Sequence, residues 1–298
     1  MKQRIGFVGA GLMGHGAAKF LMQAGHELTV IAHRNRAPID DLVTRGAAEA
    51  GTVKALTEAS DIVFLCLPDA PRVEQVVRGE DGLMAGMRAG QLVLDMTTSL
   101  PDLTRELHHE LRPAGVEFLD APMTRTPQEA EEGRLNVLLG GPVDSVAKAT
   151  PVIETFCENV WHVGDIGAAH AFKLVNNFLV ISNLATVLEA AVAAEKFGID
   201  HERLLEVCSQ GGASSAILAK LLPYAISGDA SPFQAHASTA LKDVSYYNKM
   251  ADEAGLHSTM SKSAQHFFQL ACALGEGDTM VPCLYDTFRA LDKAGRKA

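Results

Sequence analysis

The chain has 298 residues, 26 basic and 36 acidic side chains, a formal charge of −10 and 47% hydrophobic residues. That apolar content excludes a disordered chain, and the length suits two domains at about 150 residues each. An acidic balance with no Lys/Arg block argues against a nucleic-acid footprint or a polybasic membrane anchor.

At the N-terminus the apolar run Ile5 to Val8 is broken at once by Gly9, Gly11, Gly14 and Gly16. No signal-peptide core of about 7–15 apolar residues is left. Short β-like runs then alternate with helical ones. The strands expected are Arg4–Val8, Glu27–Ile31, Ile62–Leu67, Leu92–Asp95, Phe118–Asp120 and Asn136–Gly140. Amphipathic segments such as Met13–Gln23, Val53–Ala59, Arg72–Val77 and Pro101–Leu111 lie between them. This alternation predicts an α/β N-terminal domain, a mostly parallel, doubly wound sheet covered by helices on both faces. After Trp161–Gly167 only helical periods remain, punctuated by Gly198, Gly211–Gly212, Pro223, Pro232, Gly255 and Gly275–Gly277. The shift places a boundary near 163–167, giving an α/β domain over 1–164 and an all-α domain over 165–298. The apolar stretch Ala171 to Ile199 carries Lys173, Asn176, Asn177, Asn183, Glu189, Glu195 and Lys196, a load that fits a long soluble helix rather than a membrane span. Five cysteines (66, 157, 208, 272 and 283) form no CxxC and cannot all pair, so they read as reduced thiols in the cytoplasm. No metal site is read.

Gly9-Ala10-Gly11-Leu12-Met13-Gly14 follows the first strand and opens a helix, the context that gives GxGxxG its meaning as a dinucleotide turn. Gly9 permits the tight turn, Gly11 lets backbone approach a pyrophosphate, and Gly14 lets the helix close on the sheet. The helix N-terminus offers N–H groups and positive potential to phosphates. An acidic residue about 20 positions past the glycines bonds the ribose 2′-hydroxyl of NAD, whereas an arginine accommodates the 2′-phosphate of NADP. Here the second strand runs into Ala32-His33-Arg34-Asn35-Arg36, without a carboxylate. The expectation is NADP(H) preferred with NAD(H) possible, chiefly through Arg34, with His33 or Arg36 assisting.

Lys173, Asn176, Asn177 and Val180 fall at i, i+3, i+4 and i+7, one face of a helix. Three polar groups on a face of an otherwise apolar helix need a water-filled or ligand-filled cleft to satisfy them.

These residues resemble the β-hydroxyacid dehydrogenase family, which includes 3-hydroxyisobutyrate dehydrogenase, tartronate semialdehyde reductase and sulfolactaldehyde reductase. The likeness rests on the GxGxMG start, Gly25-His26, Leu67-Pro68, Asp95-Met96-Thr97-Thr98, Asp120-Ala121-Pro122, Lys173-Leu174-Val175-Asn176-Asn177 and Lys242-Asp243, in order over nearly the whole chain. The resemblance implies a Rossmann domain, a long inter-domain helix, and a helical domain that drives assembly into a homodimer or homotetramer. It implies hydride transfer between nicotinamide and a short β-hydroxy acid or semialdehyde. Lys173 would be the general acid in carbonyl reduction and the general base in alcohol oxidation, working with a lowered pKa or as a polarising ammonium. Asn176 and Asn177 match the amides that hold the substrate. Leu67 and Pro68 match the loop lining the cofactor, Thr98 a threonine beside the nicotinamide, and Lys242 a lysine lying over the cofactor.

Two departures mark this chain. Most members carry Ser-Gly-Gly after Asp-x-Pro, where Thr124, Arg125 and Thr126 stand here. An arginine loses backbone freedom and gains a planar cation, so Arg125, with the hydroxyls of Thr124 and Thr126, is expected to hold the acid group of a small anionic substrate. This loop looks most like that of sulfolactaldehyde reductases, although a sulfonate-contacting serine of those enzymes is Val180 here. In the second departure, Ala169 and His170 follow Gly167 where the family often has Gly-x-Gly. His170 is expected on the helix surface, and neither it nor His236 is assigned to catalysis. Two other readings stand beside the dehydrogenase: an imine reductase acting on C=N, and a non-catalytic NADP-binding sensor or scaffold. Lys173 weighs against the first, because imine reductases commonly carry Asp or Tyr there. A proton-exchanging group facing nicotinamide weighs against the second.

Overall fold

In the computed structural model, which describes residues 2–294, short apolar strands become the centre of one sheet. The first part runs β1 (Arg4–Val8), α1 (Gly14–Gln23), β2 (Glu27–Val30), α2 (Ala37–Thr44), β3 (Ala48–Glu49), α3 (Val53–Glu58), β4 (Ile62–Leu65), α4 (Ala70–Arg78), α5 (Leu83–Gly86), β5 (Leu92–Asp95) and α6 (Pro101–Leu111). It continues with β6 (Glu117–Asp120), β7 (Met123–Thr124), α7 (Pro127–Glu131), β8 (Leu135–Gly140), α8 (Val143–Ile153) and β9 (Cys157–Gly164). Helices complete the chain: α9 (Ala168–Lys196), α10 (His201–Ser209), α11 (Ala216–Ser227), α12 (Ala237–Glu253), α13 (Thr259–Ala273) and α14 (Leu284–Ala294).

The sheet order is β3-β2-β1-β4-β5-β6-β8-β7, with β9 also paired to β8. Strands β1 to β6 pair in parallel, whereas β8 is antiparallel to β6 and β7 and parallel to β9. The arrangement is the mostly parallel, doubly wound Rossmann sheet. Alternation along each strand feeds two cores. Ile5, Phe7, Ile62, Phe64, Leu92 and Leu94 face one layer, and Val63, Leu65, Val93 and Phe118 face the other. Phe7 stacks on Phe64 at 5.8 Å between centroids, and Phe156 meets Phe64 edge-on at 5.9 Å. Burying one such side chain contributes about 1.5–3 kcal/mol, so continuous apolar strands fix the centre of the sheet.

By internal contacts the chain divides into two compact units, Met1–Lys173 and Leu174–Ala298. The composition shift near residue 165 marks the end of β9. The first turn of α9 belongs to the N-terminal unit because both oxygens of buried Asp120 accept backbone N–H groups there, from Gly167 and His170, each at 2.9 Å. In the C-terminal unit Ile181, Leu184 and Leu188 of α9 share a core with Leu218, Leu221, Leu222, Val244 and Phe268. By length and composition α9 is the one helix among the described residues that could cross a membrane.

Candidate functional site

The strand order reverses between β1 and β4, and the Gly9–Gly14 turn leaves the sheet at that switch point, where open α/β sheets bind ligands. Each glycine there has its own reason. Gly9 sits at φ +100°, and a Cβ on it would lie 2.1 Å from the Cys66 carbonyl oxygen at the end of β4. Gly14 is closed in by the Gly9 carbonyl and the Phe7 ring, whereas a Cβ on Gly11 would meet nothing within 4 Å. Gly11 and Leu12 are exposed, and Met13 precedes the first residue of α1. The turn therefore presents a helix N-terminus with room in front of it, which fits a dinucleotide pyrophosphate.

Sequence reasoning missed what holds α1 in place. His15 lies 2.7 Å from Glu131 through Nδ1 and 2.9 Å from Asp41 through Nε2, while Lys19 donates to Glu131. These contacts tie α1 to α7 and α2. After β2, His33 and Arg34 are exposed. Arg36 instead donates to both oxygens of Glu49 at 3.0 Å and to Asp40 at 3.0 Å, and it draws the Glu49 carboxyl below its ordinary range. The structure thus leaves Arg34 and His33 exposed at the edge beside the strand end.

Beyond β4 and β5 the loops are joined by Thr97, whose hydroxyl accepts from the Leu67 amide at 3.0 Å and whose amide donates to Asp95 at 3.0 Å. Leu67 and Pro68 line one side of this junction, and half-buried Thr98 follows Thr97. Asp95 and Asp120 are register partners at the ends of β5 and β6, and both are buried. Burial pushes the Asp95 carboxyl up, with facing His170 and the Thr97 contacts opposing it.

His170 is not on the helix surface. It is 0% exposed, with Nδ1 2.6 Å from the Thr104 hydroxyl and Nε2 2.9 Å from the Thr97 carbonyl. The surface reading fails because the Asp120 cap draws the first turn of α9 against the sheet ends, and helical periodicity carries no sign of that cap. His236 precedes α12 and its Nδ1 lies 2.7 Å from the Asp278 carbonyl.

The loop after Asp120-Ala121-Pro122 keeps a glycine-like backbone without a glycine. Arg125 has φ +83°, the only non-glycine residue at positive φ among those described. Its guanidinium donates to the Arg134 carbonyl and to Glu158, each at 2.5 Å, and Arg134 reaches the same Glu158 carboxylate at 3.1 Å. The two arginines hold the Glu158 carboxyl down to about 2. Thr124 lies in β7, and Thr126 forms a capping box with Glu129 at the start of α7. Arg125 therefore meets a carboxylate of its own chain.

Along α9, half-buried Lys173, half-buried Asn176 and buried Asn177 occupy successive positions of one unbroken helix face. The Asn176 side-chain amide donates to Asn177 Oδ1 at 3.1 Å, and the Asn177 amide donates to Asp243 of α12 at 2.8 Å. The other Asp243 oxygen lies 3.2 Å from the Lys242 ammonium, and Lys242 is 5.7 Å from the centroid of the Tyr246 ring. Asp243 was visible in the sequence only as the neighbour of Lys242. Its role in orienting Asn177, 66 residues away, has no local signal.

Comparison with known proteins gives the family. Residues 4–164 match the family described as the NAD binding domain of 6-phosphogluconate dehydrogenase. Residues 167–282 match the NAD-binding family of NADP-dependent 3-hydroxyisobutyrate dehydrogenase. A probable 3-hydroxyisobutyrate dehydrogenase-like protein of Arabidopsis thaliana is 31% identical over 98% of this chain and 95% of its own. The 2-hydroxy-3-oxopropionate reductase of Escherichia coli is 35% identical over 72% of this chain and 73% of its own. The solved 3-hydroxyisobutyrate dehydrogenase of Mycobacterium tuberculosis shares the fold, with a TM-score of 0.86 at 22% identity over 97% of this chain and all of that one. This chain belongs to the β-hydroxyacid dehydrogenase family and is an NAD(P)-dependent oxidoreductase of the β-hydroxyacid type.

Proposed function

We propose that the chain reduces a short semialdehyde acid, or oxidises the matching β-hydroxy acid, with NADP(H) as the preferred cofactor. The observation that carries this reading is the face of α9 on which Lys173, Asn176 and Asn177 stand together, with Asn177 fixed by Asp243. The nicotinamide supplies or accepts the hydride. Lys173 exchanges the hydroxyl proton at the substrate oxygen, and Asn176 and Asn177 hold the substrate beside it. Gly9, Gly11, Leu12, Met13 and Gly14 receive the pyrophosphate, and Leu67, Pro68 and Thr98 border the nicotinamide; Lys242 is the counterpart of the family's cofactor lysine. Exposed Arg34 and His33, with no carboxylate at the strand end, support the 2′-phosphate preference. Assembly into a homodimer or homotetramer fits the exposed apolar residues Phe172, Val175 and Leu179 along α9.

The substrate's acid group is assigned to Arg125, which exchanges Glu158 for it. The deciding experiment mixes the protein with NADPH and a panel of aldehydes differing only in carboxylate, sulfonate or neutral end, plus a cyclic imine, and follows cofactor absorbance. Turnover of the acid aldehydes supports the proposal. Turnover of the imine alone, or of nothing, refutes it. Glu158→Gln releases Arg125 and is expected to lower KM for the acid aldehyde severalfold. An unchanged or raised KM in a folded variant assigns Arg125 to the clasp with Glu158 alone.

A further inference from the structure

We propose that His170 is a positioning residue for the reaction, fixing the Met96–Ser99 segment and its Thr98 against the first turn of α9, where Lys173 follows three residues later. The inference rests on the function proposed above, since it takes Thr98 and Lys173 as parts of one site.

A fully buried imidazole is costly to keep unless both ring nitrogens are bonded, and here both are. Thr97 offers a carbonyl, which only accepts, so Nε2 carries the proton and donates at 2.9 Å. Nδ1 faces the Thr104 hydroxyl of α6 at 2.6 Å, and in this tautomer it is the acceptor. The backbone amide of the same residue donates to Asp120 at the end of β6. One residue thus touches the exits of β5 and β6 and the body of α6.

The contact falls on the segment that needs holding. Thr97 is pinned through its amide by Asp95, through its hydroxyl by the Leu67 amide, and through its carbonyl by His170. Asp95 and Leu67 belong to the sheet side, so His170 is what ties the segment to α9. The buried Asp95 oxygen that lacks a hydrogen-bond partner lies 4.0 Å from Nε2.

Three substitutions separate positioning from simple packing. Gln at 170 places a donor near the Nε2 position, Asn places polar atoms near Nδ1 only, and Phe removes both. Steady-state rates with NADPH and 2-hydroxy-3-oxopropionate are expected to show kcat about tenfold or more below wild type for His170→Phe and His170→Asn, because small misplacements of reacting groups are costly. KM stays within about threefold, and His170→Gln recovers most of kcat. Hydrogen exchange needs no turnover: the amides of residues 96–99 should exchange faster in the Phe and Asn variants and at the wild-type rate in Gln. Wild-type exchange and kcat in His170→Phe overturn the proposal, as does a Gln variant no better than Asn in either measurement. If the Phe variant does not fold, the Gln and Asn pair decides. Wild-type turnover in Lys173→Ala condemns the functional reading instead, and the exchange data still judge His170.

Discussion

The candidate residues of the two units are fixed by different means. In the N-terminal unit the Gly9–Gly14 turn, the segments leaving β4 and β5 and the N-terminus of α1 are shaped by their backbone. In the C-terminal unit Asn176 and Asn177 are side chains on a helix face, linked to each other and, through Asn177, to Asp243 of α12. Such a turn tolerates little at Gly9, whose positive φ and nearness to the Cys66 carbonyl exclude a Cβ, or at Gly14, closed in by the Gly9 carbonyl, whereas Gly11 stands in open space. A side-chain site tolerates a change of shape wherever the donor or acceptor is kept.

The largest test of this contrast is Lys173→Ala, at the last residue of the N-terminal unit. We expect kcat to fall at least about a hundredfold, the lower end of general acid–base contributions, with NADPH affinity retained. Near-normal turnover in steady-state assays would break the comparison, since the side-chain face would then do no chemistry. Gly9→Ala comes next. The φ of +100° and the Cys66 carbonyl at 2.1 Å leave no room for the methyl, so binding of NADPH should weaken tenfold or more, with a stability loss of about 1–3 kcal/mol by thermal melting. Retained affinity would show that the turn is less committed than its geometry implies. Arg34→Ala should reduce the ratio of kcat/KM for NADPH over NADH by roughly tenfold, the worth of one charge-assisted bond, and an unchanged ratio moves the specificity elsewhere.

The smallest expected effect is in acid. Glu158, paired with Arg125 and Arg134, and Asp41, paired with Arg45 and His15, are both held down to about 2, from ordinary values of 4.5 and 3.8. Because these folded values lie below the unfolded ones, the stabilisation is complete above the ordinary range and disappears as pH falls through about 2. Both pairs are solvent-exposed, so the effect on Tm between those limits is small. Arg125→Ala should remove part of the Glu158 share, and a pH profile of Tm identical to wild type would show that the clasp contributes nothing.

Much of the N-terminal unit was legible because its central strands are buried on both faces and read as apolar runs. β1, β5 and the start of β4 fall where the sequence puts them. Elements without that signal went unread. β9 is an edge strand with exposed Glu158, Trp161 and His162, β7 has two residues, α2 opens on Pro38 beside a charged loop, and α8 carries Pro151 inside it. The glycine turn and the α9 face were legible because each is set by local spacing. The clamp on His15, the bond from Asn177 to Asp243 and the burial of His170 join residues 26 or more positions apart, and pattern along the chain carries no trace of such pairings.

Position 125 has a consequence for how such a site diversifies. An arginine in the left-handed region carries a conformational cost of about 1–2 kcal/mol that a glycine there does not. The loop has thus kept the path of a glycine loop while exchanging the side chain at its tip. On the proposed reading, in which Arg125 holds the substrate's acid group, substrate choice and loop architecture are separable. A variant library at 125 samples new ligand chemistry on an unchanged backbone, and Arg125→Gly is the member from which the conformational strain is relieved.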